Sequence, residues 1–344
     1  DAQTGLLHRR NAAIHAAMSP LPGSVPYFNR RPINVPQRFE GHTLLDFLNQ
    51  WQPQMGDAFW QNRIDAGQIV HGIDHLPSDP EQLLNLAPAD ATTLVQGGQR
   101  FVHLLPQTNE PEIGVGLKVL FEDDAWIVIE KPAPMPTHPS GRYNRNSLQP
   151  ILHTVFAPAK PRIVHRLDAN TSGLMLLATT AAHARMLQSH FHDGRVIKQY
   201  LARVVGHPPQ DAFTCDASIA ESPGVGGVFC IDPNGQGALT RFEVLRREAD
   251  GGSLLLACPA TGRTNQIRAH LWHLGFPIMG DPAYLPNHKM GENRTLHPDD
   301  PPMCLHAWKL ALLKTVHAGD EQTTIDFVAS CPEWATDDCV AATD

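Results

Sequence analysis

The chain has 344 residues, of which 42% are apolar and 18% charged, and its formal net charge is −8. This length predicts about two domains, and the ordinary globular composition excludes wholesale disorder. An acidic balance of this kind also excludes a bulk nucleic-acid-binding protein.

Targeting and metal signals are weak in this sequence. No apolar run approaches the ~18 residues needed to span a bilayer, so we expect no membrane association. The first residues carry no apolar segment typical of a signal peptide. The six cysteines contain no CxxC pair, which argues against a zinc site or a disulfide framework. We therefore expect a cytoplasmic protein without a metal site.

The amino-terminal third of the chain has two parts. Residues 1–35 are rich in Pro, Arg and Asn and lack periodicity, which predicts an irregular arm. Residues 36–107 predict a small α+β module, with a helical face at positions 44–48 and a strand at Phe101–Leu105. A linker follows at residues 108–111.

Residues 112–332 predict one strand-rich domain, and a tail follows at residues 333–344. The predicted strands are Lys118–Phe121, Trp126–Glu130, Leu174–Ala178, Val196–Val205, Thr240–Leu245, Ser253–Cys258, Leu305–Leu313 and Thr323–Val328. Helices are predicted over Ala181–His192 and from about Asn265 to Leu274. Because strands outnumber helices and βαβ alternation is absent, the fold class is α+β with a mixed, mainly antiparallel sheet.

Basic residues are concentrated between Pro136 and Arg203. Nine lysines and arginines face only two acidic residues there, a local excess of +7 in an acidic chain. The nine are Arg142, Arg145, Lys160, Arg162, Arg166, Arg185, Arg195, Lys198 and Arg203. Two interpretations stay open: a binding site for an anionic substrate, or arginines scattered over unrelated faces.

The densest polar cluster lies at residues 163–173, where a short apolar segment runs into His165, Arg166 and Asp168. An aspartate held by a short turn at the end of a strand can act as a nucleophile or an acid–base group. Its neighbouring cations would favour the charged carboxylate. An aspartate in a turn more commonly bonds to its own backbone, so both interpretations stay open here.

A second polar cluster, residues 261–270, leads into the predicted helix, and Arg263 lies just before the helix begins. A buried arginine in this cluster can orient Asp168 or bind a phosphate, although a solvated helix start is the plainer alternative. Tyr200 lies on a predicted strand beside Lys198. Its ring can stack on a nucleobase, but a core tyrosine would leave the same pattern.

Taken together, these clusters resemble the RluA-type pseudouridine synthases. The segment His165–Gly173 resembles the nucleophile motif of that family, and the other motifs occur in the family's order between residues 118 and 327. These are Val119–Asp124 with Val128–Pro132 and Thr137–Pro139, then Lys198–Ala202, then Gly262–Arg268 with Gly275–Pro282, then Leu305–Ala307. One departure is Asn265, where the family commonly has histidine, and it predicts a local change beside the arginine.

The resemblance implies an isomerase that converts uridine in RNA to pseudouridine, with no metal and no cofactor. It implies that Asp168 is the nucleophile or base, that Arg263 pairs with Asp168, and that Tyr200 stacks on the uracil. It further implies RNA contacts from Arg166, His165, Lys198, Arg268 and Arg142.

The resemblance also suggests a substrate class. Glu40–Leu48 and the glycine-flanked residues 68–70 are similar in layout to the S4-like RNA-binding modules that precede many of these catalytic domains. The segment His138–Tyr143 resembles the branch that modifies the tRNA anticodon stem-loop, with rRNA the other usual substrate. We expect a monomer.

Two alternative functions remain open from the sequence. A hydrolase with Asp168 as covalent nucleophile would require a second catalytic carboxylate nearby. A non-catalytic RNA-binding protein would require more surface lysine and arginine, and would not require Asp168, Tyr200 and Arg263 together.

Overall fold

The computed structural model describes residues 2–72, 77, 79–314 and 323–335. The chain divides into two compact units, one formed by residues 1–24 with 110–344 and the other by residues 25–109. From residue 336 onward, the predicted tail lies outside the described residues. No helix in the described ranges is both long and apolar enough to cross a membrane.

The secondary structure has the following bounds. The helices are α1 (Ala2–Ala17), α2 (Leu44–Trp51), α3 (Asp57–Asp65), α4 (Pro80–Leu84), α5 (Leu148–Val155), α6 (Ala181–His192) and α7 (Gln266–His273). Short 3₁₀ helices lie at Gln37–Phe39, Pro53–Met55 and Glu333–Ala335. The strands are β1 (Tyr27–Asn34), β2 (Ile69–His71), β3 (Arg100–Thr108), β4 (Lys118–Glu122), β5 (Trp126–Lys131), β6 (Arg162–Ile163), β7 (Ser172–Ala178), β8 (Val196–Val205), β9 (Ala212–Cys215), β10 (Ile219–Glu221), β11 (Phe229–Ile231), β12 (Thr240–Arg247), β13 (Gly252–Pro259), β14 (Tyr284–Leu285), β15 (Lys289–Met290), β16 (Leu305–Lys314) and β17 (Thr323–Val328).

The first unit is built on a ten-stranded sheet. Its main path runs β4-β5-β7-β16-β8-β13-β12-β9, with β17 beside β16 and β6 beside β7. The β7–β16 pairing is parallel, and the remaining pairs of this sheet are antiparallel. The predicted fold class, α+β with a mixed and mainly antiparallel sheet, is confirmed.

Both faces of this sheet are covered around β7. Leu174 and Leu176 pack in one cluster with residues of α6, whereas Met175 and Leu177 pack in another with residues of α5 and α1. Successive side chains of a strand point to opposite faces, so a strand covered on both sides is apolar throughout. This explains why Leu174–Ala178 is an unbroken apolar run, which is the pattern that predicts a buried strand.

The predicted irregular arm over residues 1–35 is wrong, because α1 and β1 occupy most of it. Four alanines, the strongest helix formers, lie in the second half of α1. Leu7, Ile14 and Ala17 of α1 pack into the core, but apolar residues also lie on its other faces, so the amphipathic periodicity of the helix is weak.

Polar contacts hold α1 to the rest of its unit. The Arg10 guanidinium donates two hydrogen bonds of 2.9 Å to the Glu122 carboxylate and lies 4.1 Å from the centre of the Phe156 ring. Asn11 exchanges two hydrogen bonds with the backbone of Val119 in β4, of 2.8 and 3.1 Å. The helix is therefore attached by specific side chains rather than by an apolar face alone.

The second unit is a small α+β structure. Its sheet has the order β1-β3-β2, all antiparallel, and its core contains Phe47, Trp60 and Phe101. The helix predicted around residues 44–48 and the strand predicted at Phe101–Leu105 are confirmed as α2 and β3. The likeness to S4 modules stays a prediction.

The role of α1 can be tested with two neighbouring arginines. We expect Arg10→Ala to lower the free energy of unfolding by about 1–2 kcal/mol, because it removes a two-bond ion pair and a cation–aromatic contact. Arg9 is exposed, and Arg9→Ala should stay within about 0.5 kcal/mol of the parent chain. Urea denaturation checks both values, and equal effects of the two variants would contradict the role given to Arg10.

Candidate active site

Asp168 lies in the turn that leads into β7. The Thr171 N–H donates to the Asp168 carbonyl at 3.1 Å, which closes the turn. The Leu167 carbonyl accepts a hydrogen bond of 2.7 Å from the Thr137 hydroxyl. The backbone is thus fixed on both sides of Asp168, while the side chain of Asp168 remains 22% exposed.

A buried lysine donates hydrogen bonds to the backbone beside the same turn. Lys131, at the end of β5, is fully buried, and its Nζ donates to the carbonyls of Pro132, Met135 and Ala169 at 2.9–3.3 Å. Burial lowers the pKa of Lys131 to about 7, and the charge of Asp168 partly opposes that shift. Lys131 therefore joins the strand to the residue that follows Asp168.

Gly173 allows the close approach of β7 and β16. Its φ is +111°, and a Cβ atom at this position would lie 2.2 Å from the Ala307 carbonyl oxygen. Ala307 is the register partner of Gly173 on one side and of Tyr200 in β8 on the other. A residue other than glycine would push apart the strands that bring Asp168 and Tyr200 together.

The guanidinium that contacts Asp168 belongs to Arg268. This residue lies in the first turn of α7, its side chain is 4% exposed, and its Nη1 donates to Asp168 Oδ2 at 2.9 Å. The predicted pairing of Asp168 with Arg263 is wrong. Arg263 precedes α7 and is exposed, and its Nε donates to the Gly237 carbonyl at 3.0 Å.

Asp281 holds the other edge of the same guanidinium. Arg268 donates to it from Nε at 2.7 Å and from Nη2 at 2.9 Å, and the Asp281 side chain is fully buried. The backbone N–H groups of Ala283 and Tyr284 also donate to Asp281. Burial alone would lower the pKa of Arg268, but the hydrogen bonds and charge of Asp281 outweigh it, so the pKa is raised and the guanidinium stays charged.

Asn265 completes the surroundings of Arg268. Its backbone is left-handed, with φ at +55°, a conformation that asparagine adopts more readily than most residues. Its Oδ1 accepts from Arg268 Nη1 at 3.1 Å, and its Nδ2 donates to the Gly227 carbonyl and the Tyr284 hydroxyl. Asn265 thus links the arginine to the loop between β10 and β11, and the local change predicted at this position stays a prediction.

A cavity of about 390 Å³ lies against these groups, and Asp168, Arg268 and Tyr200 share its wall. Burial raises the pKa of Tyr200, and the charge of Asp168 raises it further, so the phenol stays protonated at neutral pH. The cavity therefore presents a carboxylate, a guanidinium and an aromatic ring to one bound group.

The remaining predicted residues differ in their surroundings. Arg166, His165, Lys198 and Arg263 also line this cavity, whereas Arg142 is exposed outside its wall. The His165 ring accepts a hydrogen bond from the Leu176 N–H through Nε2 at 2.9 Å.

Burial and the charge of Lys198 lower the pKa of His165 to about 3, so it is a neutral group rather than a cation. Lys198 donates to the Thr261 carbonyl at 3.0 Å, and burial lowers its pKa to about 8. Of the residues predicted to bind RNA through a positive charge, Arg166 is the one that is exposed at the cavity.

Sequence reasoning did not single out Lys131 or Asp281. A signal existed for Lys131, because a lysine two residues after the apolar run Ile127–Ile129, on the same strand, needs either an exposed position or a set of acceptors. For Asp281 the signal was weaker, since it follows α7 by several residues and its contact with Arg268 depends on how the loop returns.

Known proteins share the sequence of this site and its surroundings. The family model described as RNA pseudouridylate synthase matches residues 125–273, which contain Asp168, Tyr200 and Arg268. The ribosomal large subunit pseudouridine synthase D of Nitrosomonas europaea is 32% identical over 299 residues, covering 84% of this chain and 82% of the relative. The chain belongs to the RluA-type RNA pseudouridylate synthase family.

Two further relatives agree with this assignment. RNA pseudouridine synthase 7 of Arabidopsis thaliana is 29% identical over 318 residues, covering 83% of this chain and 76% of the relative. The tRNA pseudouridine(31) synthase of Saccharomyces cerevisiae is 30% identical over 291 residues, covering 75% and 70% respectively. The protein is an isomerase of the RNA pseudouridine synthase type, which confirms the predicted family and activity.

Replacing Arg268 and replacing Arg263 should have different effects on the reaction rate of this synthase. We expect Arg268→Lys to slow pseudouridine formation by roughly 10- to 100-fold, because the single nitrogen of lysine cannot reproduce the fixed contacts that three guanidinium nitrogens make with Asp281 and Asp168. Arg263→Lys should change the rate by about threefold or less, since Arg263 contacts neither carboxylate. Single-turnover assays of the folded variants check this. A larger loss from Arg263→Lys would restore Arg263 as the partner of Asp168.

Proposed function

We propose that this synthase uses Asp168 as the reacting carboxylate on a uridine of tRNA or rRNA. The observation that carries the proposal is the different hydrogen bonding of the two Asp168 carboxylate oxygens. Oδ2 is engaged by Arg268, whereas Oδ1 has no hydrogen-bond partner within the described ranges of the chain. One oxygen is held in place and the other is available at the cavity wall.

The reaction itself requires no added reactant. The bond between N1 of the uracil and C1′ of the ribose breaks, and a bond between C5 and C1′ forms. The proton leaves C5 and a proton is gained at N1, so atoms and electrons balance within the nucleotide. We therefore propose that Asp168 and the groups around it act without a cofactor.

Tyr200 is proposed to be the platform for the uracil. Its raised pKa keeps the phenol protonated, which favours stacking and hydrogen bonding over the removal of a proton as a general base. The pairing of Ala257 and Ala307 on either side of Tyr200 places small side chains beside the ring. Tyr200 lines the cavity wall, where a base can contact it.

Arg268 is proposed to orient the nucleophile. It is fixed by two hydrogen bonds to a fully buried carboxylate, so its third contact, to Asp168, has little freedom. Pre-organised charges of this kind are effective because they need no rearrangement when the reaction begins. Arg263, Arg166 and Lys198 are proposed as contacts to the RNA backbone at the cavity.

The substrate class follows from relatives. One relative is named for position 31 of tRNA and another for the large ribosomal subunit. The target uridine must leave its stack to reach a cavity of this kind. We further propose a cytoplasmic monomer in which residues 25–109 contribute to RNA binding as an S4-like module.

A hydrolase with Asp168 as covalent nucleophile is disfavoured by the same geometry. The second carboxylate near Asp168 is Asp281, which is fully buried and has both oxygens bonded to Arg268. A glycosidase requires its second carboxylate to serve as an acid or base in contact with the substrate or a water. Asp281 is therefore not accessible to a substrate or a water as an acid or a base.

The proposal predicts a specific loss in cells. Pseudouridine mapping of total RNA, from cells without the protein and cells supplied with it again, should reveal uridines that are modified only in its presence. Asp168→Asn should abolish those signals, because it keeps the side-chain volume and removes the charge. Asp193→Asn, at the exposed end of α6, is the matched control and should leave them intact.

Two outcomes would contradict the proposal. If the same uridines are modified with and without the protein, it does not act on cellular RNA in the proposed way. If Asp168→Asn restores the signals as well as the parent chain does, the reacting group lies elsewhere.

A further inference from the structure

A second cavity, of about 550 Å³, lies on the other side of the Asp168 turn. It shares six residues with the first cavity, so the two meet at Asp168: Arg166, Leu167, Asp168, Thr264, Asn265 and Arg268. Its other walls come from residues 136–140, Tyr143, Ala169–Asn170, Gly227, Phe229 and Asn293–Thr295. Tyr200, the proposed platform for the uracil, lines only the first of the two cavities.

We propose that this second cavity binds the nucleotide adjacent to the target uridine, with its base unstacked from the RNA. This inference rests on the proposed function, because it assumes that a uridine occupies the first cavity. The volume lies within the range of roughly 300–1,000 Å³ that is usual for small-molecule sites. A single nucleotide is a ligand of that class.

Two aromatic rings in the wall of the second cavity can stack on a nucleobase. Tyr143 and Phe229 both line the cavity and are both half-buried, so each ring is held on one side and open on the other. Burial raises the pKa of Tyr143, which keeps its phenol neutral. Neutral aromatic faces stack on any base, and recognition of unpaired RNA commonly uses such rings.

Arg166 supplies the charge that a dinucleotide requires. It lines both cavities, it is exposed, and it makes no ion pair within the described part of the chain. A cation placed where two base pockets meet can contact the phosphate that joins the two nucleotides. This position explains why Arg166 stands beside the nucleophile without bonding to it.

The wall of the second cavity is bonded to the groups that hold Arg268. The Phe229 N–H donates to the Tyr284 hydroxyl at 3.0 Å, and that hydroxyl donates to the Phe229 carbonyl at 2.6 Å. Asn265 donates to the Gly227 carbonyl and accepts from Arg268. A base that occupies this cavity therefore lies against the same framework that fixes the guanidinium.

The test uses synthetic RNA rather than an identified substrate. The probes are a fluorescent heptaribonucleotide, AAAUAAA, and two versions in which the adenine on the 5′ or the 3′ side of the uridine is replaced by an abasic site. Fluorescence anisotropy at low salt gives the Kd of each. For the unaltered protein, one abasic probe should bind roughly 5- to 150-fold more weakly, which is the usual effect of one stacked base.

Variants of the cavity wall test whether the weaker binding of the abasic probe arises in the second cavity. Phe229→Ala should bind the intact heptamer as weakly as the parent chain binds the sensitive abasic probe, with no further loss on that probe. Tyr143→Leu provides a second variant of the same wall in case Phe229→Ala does not fold. The matched control is Phe213→Ala, which changes a half-buried phenylalanine on β9 that stacks on Phe242 and should keep the parent's response.

The results separate this inference from the proposed function. If both abasic probes bind like the intact heptamer, if no probe binds, or if Phe213→Ala behaves like Phe229→Ala, the second cavity is not a base site. The proposed function would still stand wherever the protein forms pseudouridine in total RNA. If the protein forms none, the proposed function fails whatever the heptamers show.

Discussion

The structure depends on one guanidinium shared between two carboxylates. Arg268 is almost fully buried and contacts Asp281 through two nitrogens and Asp168 through the third. A buried charge is costly unless it is paired and its donors are satisfied, and here the buried partner Asp281 meets that requirement. Asp168 then receives a fixed hydrogen bond while it remains partly exposed to the cavity.

The fold brings these three residues together from distant parts of the chain. Asp168 comes from the turn before β7, Arg268 from α7, and Asp281 from the segment after α7. The close approach of Gly173 to Ala307 sets the distance between β7 and β16, and the next strand, β8, carries Tyr200. The sheet therefore fixes the nucleophile and the aromatic ring, and the helix supplies the cation that orients the nucleophile.

Much of this arrangement could be predicted from the sequence. Buried strands such as β7 and short turns rich in small polar residues leave clear local patterns, and the motif around Asp168 lies between two of them. The choice between Arg263 and Arg268 could not be made in the same way. It depends on where α7 begins, and Asn265 at that point has a left-handed backbone that the spacing of apolar residues does not reveal. Helix α1 could not be predicted in the same way, because apolar residues lie on several of its faces and its contacts with Glu122 and Val119 are polar.

The shared guanidinium predicts that Asp281 acts on the reaction only through Arg268. The most direct test of this claim is the single-turnover rate of pseudouridine formation for Asp281→Asn, for Arg268→Lys and for the double variant, at enzyme concentrations that saturate the RNA. If the claim is correct, each single variant is slow and the double variant is no slower than the slower of the two, because residues that act as a unit are not additive. If the two losses multiply in the double variant, Asp281 and Arg268 act independently, and Asp281 does not act by holding the guanidinium against Asp168.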